Sequence, residues 1–151
     1  MRRAVAITAL AATLAGCSPD TSALESEPEP EPVEQIVSFT VEVVGGGGGP
    51  FGLSVTWGHT ALEGQRAKSP TWAWAHMVTV SYPDVKDVWV MAAPEVRPGV
   101  DESLAYRNGA PQVHCRILVN GRTVAKQTSA APQCDANLSA TPPAAPTGTV
   151  G

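Results

Sequence analysis

The chain has 151 residues, 43% of them apolar, and a formal charge of −4 from 14 acids against 10 Lys and Arg. Such a length holds one domain of modest size. The charge is unevenly spread. Arg2 and Arg3 sit at the N-terminus, and six acids (Asp20, Glu25, Glu27, Glu29, Glu31, Glu34) precede Gln35, after which eight acids meet eight Lys and Arg. A formally neutral domain without a basic patch excludes nucleic acid as an expected partner.

In chain order, the first element is a leader. Arg2 and Arg3 precede an uncharged apolar run over residues 4–13, too short to span a bilayer. Leu14-Ala15-Gly16-Cys17 follows and resembles the lipobox of bacterial lipoproteins, in which the cysteine is acylated and the preceding peptide removed. This predicts a lipoprotein signal peptide over residues 1–16 and a mature chain beginning at Cys17, held at the extracytoplasmic face of a cell membrane by a palmitate-type anchor; the plainer alternative is an ordinary signal peptide. Two or more acyl chains would give stable attachment. Of the three cysteines, lipidation of Cys17 leaves Cys115 and Cys134 as an even pair in a disulfide-permissive compartment, and a disulfide between them is expected. A C-x-x-C redox spacing is absent.

Residues 17–35 read as an acidic, proline-rich linker. Glu27-Pro28-Glu29-Pro30-Glu31-Pro32 favours polyproline II, and at about 3.1 Å per residue the stalk would hold a domain roughly 50 Å from the bilayer. Residues 36–140 read as that domain. Val37, Phe39, Val41 and Val43 alternate with polar residues and predict a strand that ends at the glycines of residues 45–49. Leu53, Val55 and Trp57 predict a second. Residues 74–81, 86–91, 112–119 and 122–127 predict further strands, with a short last one over 134–138. Asn120-Gly121 between two such runs is a hairpin signal, because a type I′ turn requires positive φ at both central residues. It sets Val119 opposite Arg122 and Ile117 opposite Val124. No helix is predicted. The expectation is an all-β domain, a small Ig-like or transthyretin-like sandwich of about six or seven strands, between the N-terminal stalk and a disordered tail over residues 141–151.

Several stretches together resemble one family. They are Val41-Glu42-Val43 before a glycine-rich break, the strand from Leu53 to Trp57, Pro70-Thr71-Trp72 before a strand, and the strand from Val88 to Ala92. The most specific is Cys115-Arg116-Ile117-Leu118-Val119-Asn120-Gly121-Arg122-Thr123-Val124, with Cys134 beyond it. The pattern resembles the soluble domain of the MmpS family, small membrane proteins that accompany MmpL lipid transporters. That resemblance implies a β-sandwich outside the cytoplasmic membrane, without catalysis, and an MmpL/RND-type transporter exporting lipids or siderophores as its partner. Family members usually carry an N-terminal transmembrane helix where this chain has a lipobox.

The residue types that carry chemistry form no site in the sequence. His59, His76 and His114 lie singly on separate segments, so no metal is expected. The glycine run at residues 45–49 lacks the Lys-Ser/Thr and the helix of a phosphate loop. There is no G-x-S-x-G and no supported acid pair, so neither an enzyme nor a cofactor is expected. The four tryptophans are more informative. Trp57, Trp72, Trp74 and Trp89 can fill the sandwich core, or Trp72 and Trp74 can form a contact surface, since residues at i and i+2 of an extended stretch share a face. The leading expectation is a lipid-anchored transport accessory. The alternative is a lipoprotein module that captures an apolar ligand or acts in envelope adhesion.

Overall fold

From Val37 onward every second side chain of β1 (Val33–Val43) is apolar, and Val37, Phe39, Val41 and Val43 are buried while Ser38, Thr40 and Glu42 face outward. In the computed structural model, which describes residues 31–45, 49–60 and 62–144, this strand is joined by β2 (Phe51–His59), β3 (Leu62–Ser69), β4 (Ala73–Tyr82), β5 (Asp87–Val96), β6 (Val113–Val119), β7 (Arg122–Ser129) and β8 (Gln133–Asn137). The single helix among the described residues is α1 (Glu102–Ala105). Two antiparallel sheets result, ordered β4-β1-β6-β7 and β3-β2-β5-β8. The predicted all-β sandwich is therefore observed.

The central strands supply the core. Leu53 and Val55 from β2, Val88 and Val90 from β5, and Val113, Cys115, Ile117 and Val119 from β6 are all buried against the inner face of β1. Alternation gives each strand one face for this layer, and the outward positions are mostly polar or small, with exceptions such as Ile36, Met77, Trp89 and Met91. Disulfide Cys115–Cys134, with Cα atoms 6.1 Å apart, joins β6 of one sheet to β8 of the other and is buried.

The structure has eight strands where six or seven were expected. The additional strand is β3, whose sequence LEGQRAKS lacks apolar alternation because it is an edge with little to bury. The domain also starts earlier than residue 36. Val33, Glu34 and Gln35 belong to β1 instead of the linker, and Gln35 is the one buried polar residue among those described, its Nε2 donating to the Ser139 carbonyl at 2.7 Å. Strand β5 runs on past Met91 through Pro94. The Ala92 N–H, on the same side of the strand, donates to the Pro132 carbonyl, so Pro94 directs its hydrogen-free nitrogen past the end of β8, where no ladder bond is required. Helix α1 forms despite its length because Asp101 caps it, Oδ1 accepting from the Ser103 N–H at 2.9 Å.

The hairpin keeps its predicted turn and changes its predicted register. Asn120 and Gly121 have φ of 49° and 79°, as a type I′ turn demands, and Val119 pairs with Arg122. A bulge then skips Val124, so Ile117 pairs with Ala125 rather than Val124. Unbulged pairing would place Lys126 opposite buried Cys115. The slip places it opposite exposed Arg116 instead, on the solvent side.

Residues 1–30 and 145–151 lie outside the described part, and with them Cys17, the signal peptide and most of the linker and tail. No helix among the described residues is long and apolar enough to cross a membrane.

Candidate functional site

The chain passes from one sheet to the other between β3 and β4; of the two tryptophans singled out from the sequence, Trp72 lies on this crossing and Trp74 lies just inside β4. Ser69 and Thr71 shape it through their hydroxyls. Thr71 Oγ1 and Ser69 Oγ donate to the Ala73 carbonyl at 2.8 and 3.2 Å, and the Thr71 N–H donates to Ser69 Oγ at 3.3 Å. The Val43 N–H donates to the Trp72 carbonyl at 2.8 Å and fastens the crossing to β1. Such local hydroxyl bonds bend a chain that would otherwise run straight into the strand.

Trp72 and Trp74 consequently have different surroundings. Trp72 lies on the bend, 41% exposed, and makes no ring contact with the other described residues. Trp74 lies on the inner face of β4 opposite Val41 and is half-buried. It stacks on His76 at 5.9 Å between ring centroids, His76 lies 4.1 Å from Trp57, and Trp57 lies 5.6 Å from Phe39. This row of four rings closes the open side of the sandwich between edge strand β4 and strand β2. The structure therefore does not join Trp72 and Trp74 into one pair; it presents the first and packs the second.

Two hollows flank the crossing. An open cleft of about 260 Å³ has walls formed by Gly52, Pro70, Val96 and Pro98, with Lys68, Glu95 and Arg97 at its rim. Lys68 forms an ion pair with Glu95, whereas the Nε of Arg97 is buried without a hydrogen-bond partner. On the other side a shallow groove of about 390 Å³ runs between Thr40, Glu42, Ala73, Ala75 and Arg116.

The remaining candidates stay apart. His59 ends β2, His76 belongs to the aromatic row, and His114 shares a 2.8 Å hydrogen bond between Nδ1 and Thr128 Oγ1. No group of three His, Cys, Asp or Glu among the described residues could hold a metal ion. The one carboxyl with a resolved perturbation is Asp101, held below its ordinary value of 3.8 by hydrogen bonds from the Ser103 hydroxyl and from backbone N–H groups of the helix turn. It is fully exposed and serves the helix cap.

Sequence reasoning missed three features. Trp89 lies half-buried on the outer face of its sheet, against Gly58 and Gly64, where a Cβ would come within 2.9 and 2.7 Å of the indole. Glycine spaced across two strands opposite a tryptophan was the available signal. Asn120 accepts from the Ile36 N–H at 2.9 Å through Oδ1, tying the hairpin turn to β1 in addition to forming the turn. Arg97 follows a strand that the sequence ended too early, so the cleft it lines was not foreseen. The chain matches no family model and no curated protein.

Proposed function

We propose that this chain is a non-enzymatic, lipid-anchored domain outside the cytoplasm, attached through Cys17, that assists an MmpL/RND-type transporter in exporting lipids or siderophores by direct contact. The family resemblance of residues 115–124 with Cys134 supports the transporter as partner. The observation that carries a contact role is Trp72. A large apolar ring stands exposed on a crossing fixed by four hydrogen bonds, in a formally neutral domain where charge offers little to recruit a partner. Tryptophan in such a position is a common energetic anchor of protein interfaces.

Photo-crosslinking from position 72 in intact membranes tests this reading. Capture of a multi-spanning transporter polypeptide is the expected result. Crosslinks to lipid alone, or no crosslink, would overturn it.

The second reading, capture of an apolar ligand, is favoured by the cleft beside Pro70. Its walls are apolar and the unpartnered Arg97 Nε offers a donor for an acidic head group. Titration with a fatty acid, monitored by tryptophan fluorescence, distinguishes it: saturable binding that Arg97→Gln weakens about tenfold fits capture, and its absence removes this reading.

A further inference from the structure

Four strands end the two sheets, and their edges are protected unequally. Strand β3 carries Arg66 and Lys68, β7 carries Arg122 and Lys126, and β8 has five residues with Asp135 among them. Short length and charge are the ordinary means of keeping a free edge from pairing with another chain. Strand β4 has neither. It is ten residues long, AWAHMVTVSY, without Lys, Arg, Asp, Glu, Gly or Pro.

The hydrogen-bond pattern locates the open part of that edge. The Val43 N–H bonds the Trp72 carbonyl in the same register that pairs Val41 with Trp74 and Phe39 with His76. Antiparallel ladders alternate, so Trp74, His76, Val78 and Val80 direct their backbone groups to β1, and Ala73, Ala75, Met77, Thr79 and Ser81 direct theirs away from it. Two of the outward carbonyls are already used: Ala73 accepts from the Ser69 and Thr71 hydroxyls, and Ser81 accepts from the Val85 N–H at 2.8 Å. The edge is thus closed at both ends by its own turns. Ala75, Met77 and Thr79 remain between them, all three exposed, with Met77 at 66%.

We infer that this window pairs antiparallel with the same window of a second copy, about a twofold axis through Met77. The open stretch is symmetric about that residue, as an isologous contact requires. Ala75 faces Thr79 of the second copy, Met77 faces its equivalent, and Thr79 faces Ala75. Each opposing pair lies on the outer face and none brings like charges together, whereas self-pairing at β3 or β7 would. Each outward residue exchanges an N–H and a carbonyl with its opposite, giving about six backbone hydrogen bonds, within the 10 ± 5 typical of a protein interface. The two four-stranded sheets become one of eight. The pairing does not depend on the transporter reading.

Met77→Cys in the full chain, treated in intact membranes with a short thiol crosslinker, tests the axis. A band of twice the monomer mass is expected. Thr123→Cys on the β7 edge should give none, and the parent chain reports any crosslink through Cys17. Adding Ala75→Lys places a charge in the window on an exposed position and should abolish the Met77→Cys band. Sedimentation of the detergent-solubilised parent and of its Ala75→Lys variant supplies a readout free of introduced thiols, with a dimer expected for the first and a monomer for the second. A Met77→Cys yield no greater than that of Thr123→Cys overturns the inference. So does a crosslink to a different polypeptide, a monomeric parent, or a dimer that Ala75→Lys leaves intact.

Discussion

The two ends of the β4-β1-β6-β7 sheet are built on different terms. At one end, β6 and β7 meet in a two-residue turn anchored to β1 by Asn120. A bulge aims Lys126 at solvent, and the disulfide from β6 crosses to the other sheet. At the other end, β4 bonds β1 alone, its inner face carries the half-buried rings of Trp74 and His76, and its outer edge is uncharged. The first end spends its residues on holding the fold and the second leaves surface to be covered. The difference teaches where stability and contact are separable in this domain: substitutions near β6 should be read in unfolding, those near β4 in association.

The strongest test of that division is loss of the disulfide. Replacing Cys115 and Cys134 by alanine should cost about 3 kcal/mol, because the bond closes a loop of 19 residues, and should lower the thermal midpoint measured by circular dichroism. An unchanged midpoint would place the stabilising end elsewhere. Next is the contrast between the crossing and the start of β4. Trp74→Ala should cost about 2 kcal/mol, less than a fully buried ring would. Trp72→Ala should cost under about 0.5 kcal/mol while removing co-purification of the proposed transporter. Equal costs in denaturant titrations would merge the two residues into one role.

The turn gives a smaller effect. Asn120→Ala should cost about 1–2 kcal/mol by placing alanine at positive φ and removing the bond to the Ile36 N–H. Asn120→Gly should recover part of that, since glycine accepts the backbone and not the bond. The smallest effect concerns α1. The Asp101 carboxyl is depressed in the folded state, so its support of the helix is present above the ordinary carboxyl value of 3.8 and is lost as pH falls through the lower folded value. The protection factor of the Ser103 amide, relative to its intrinsic exchange rate, should fall over that acidic range, and Asp101→Asn should remove that fall. Protection that is flat down to strong acid would show that the cap does not titrate as described.

What the sequence disclosed follows the same division. Strand β1, the β6–β7 turn and the disulfide were legible because apolar alternation, Asn-Gly and paired cysteines are local signals. The bulge was not, since the choice between two registers one residue apart depends on where Lys126 points once Cys115 is buried. Strand β3 was hidden by its polar edge composition. The separation of Trp72 from Trp74 depended on Ser69 and Thr71 turning their hydroxyls on the Ala73 carbonyl, a competition with extended backbone that spacing alone does not resolve. The i and i+2 spacing suggested one shared face, and two hydroxyls bent the approach to the strand.

Strand β1 has a mechanical consequence as well. It is the strand through which the N-terminal segment enters the domain, and it pairs with β4 from Val33 to Glu42 on one side and with β6 from Val37 to Val43 on the other. A pull on the N-terminus therefore acts along β1, across two ladders whose bonds lie perpendicular to the load. All of them resist together in shear instead of parting one after another. A domain tethered at that point and gripped elsewhere would bear tension through its best-bonded strand.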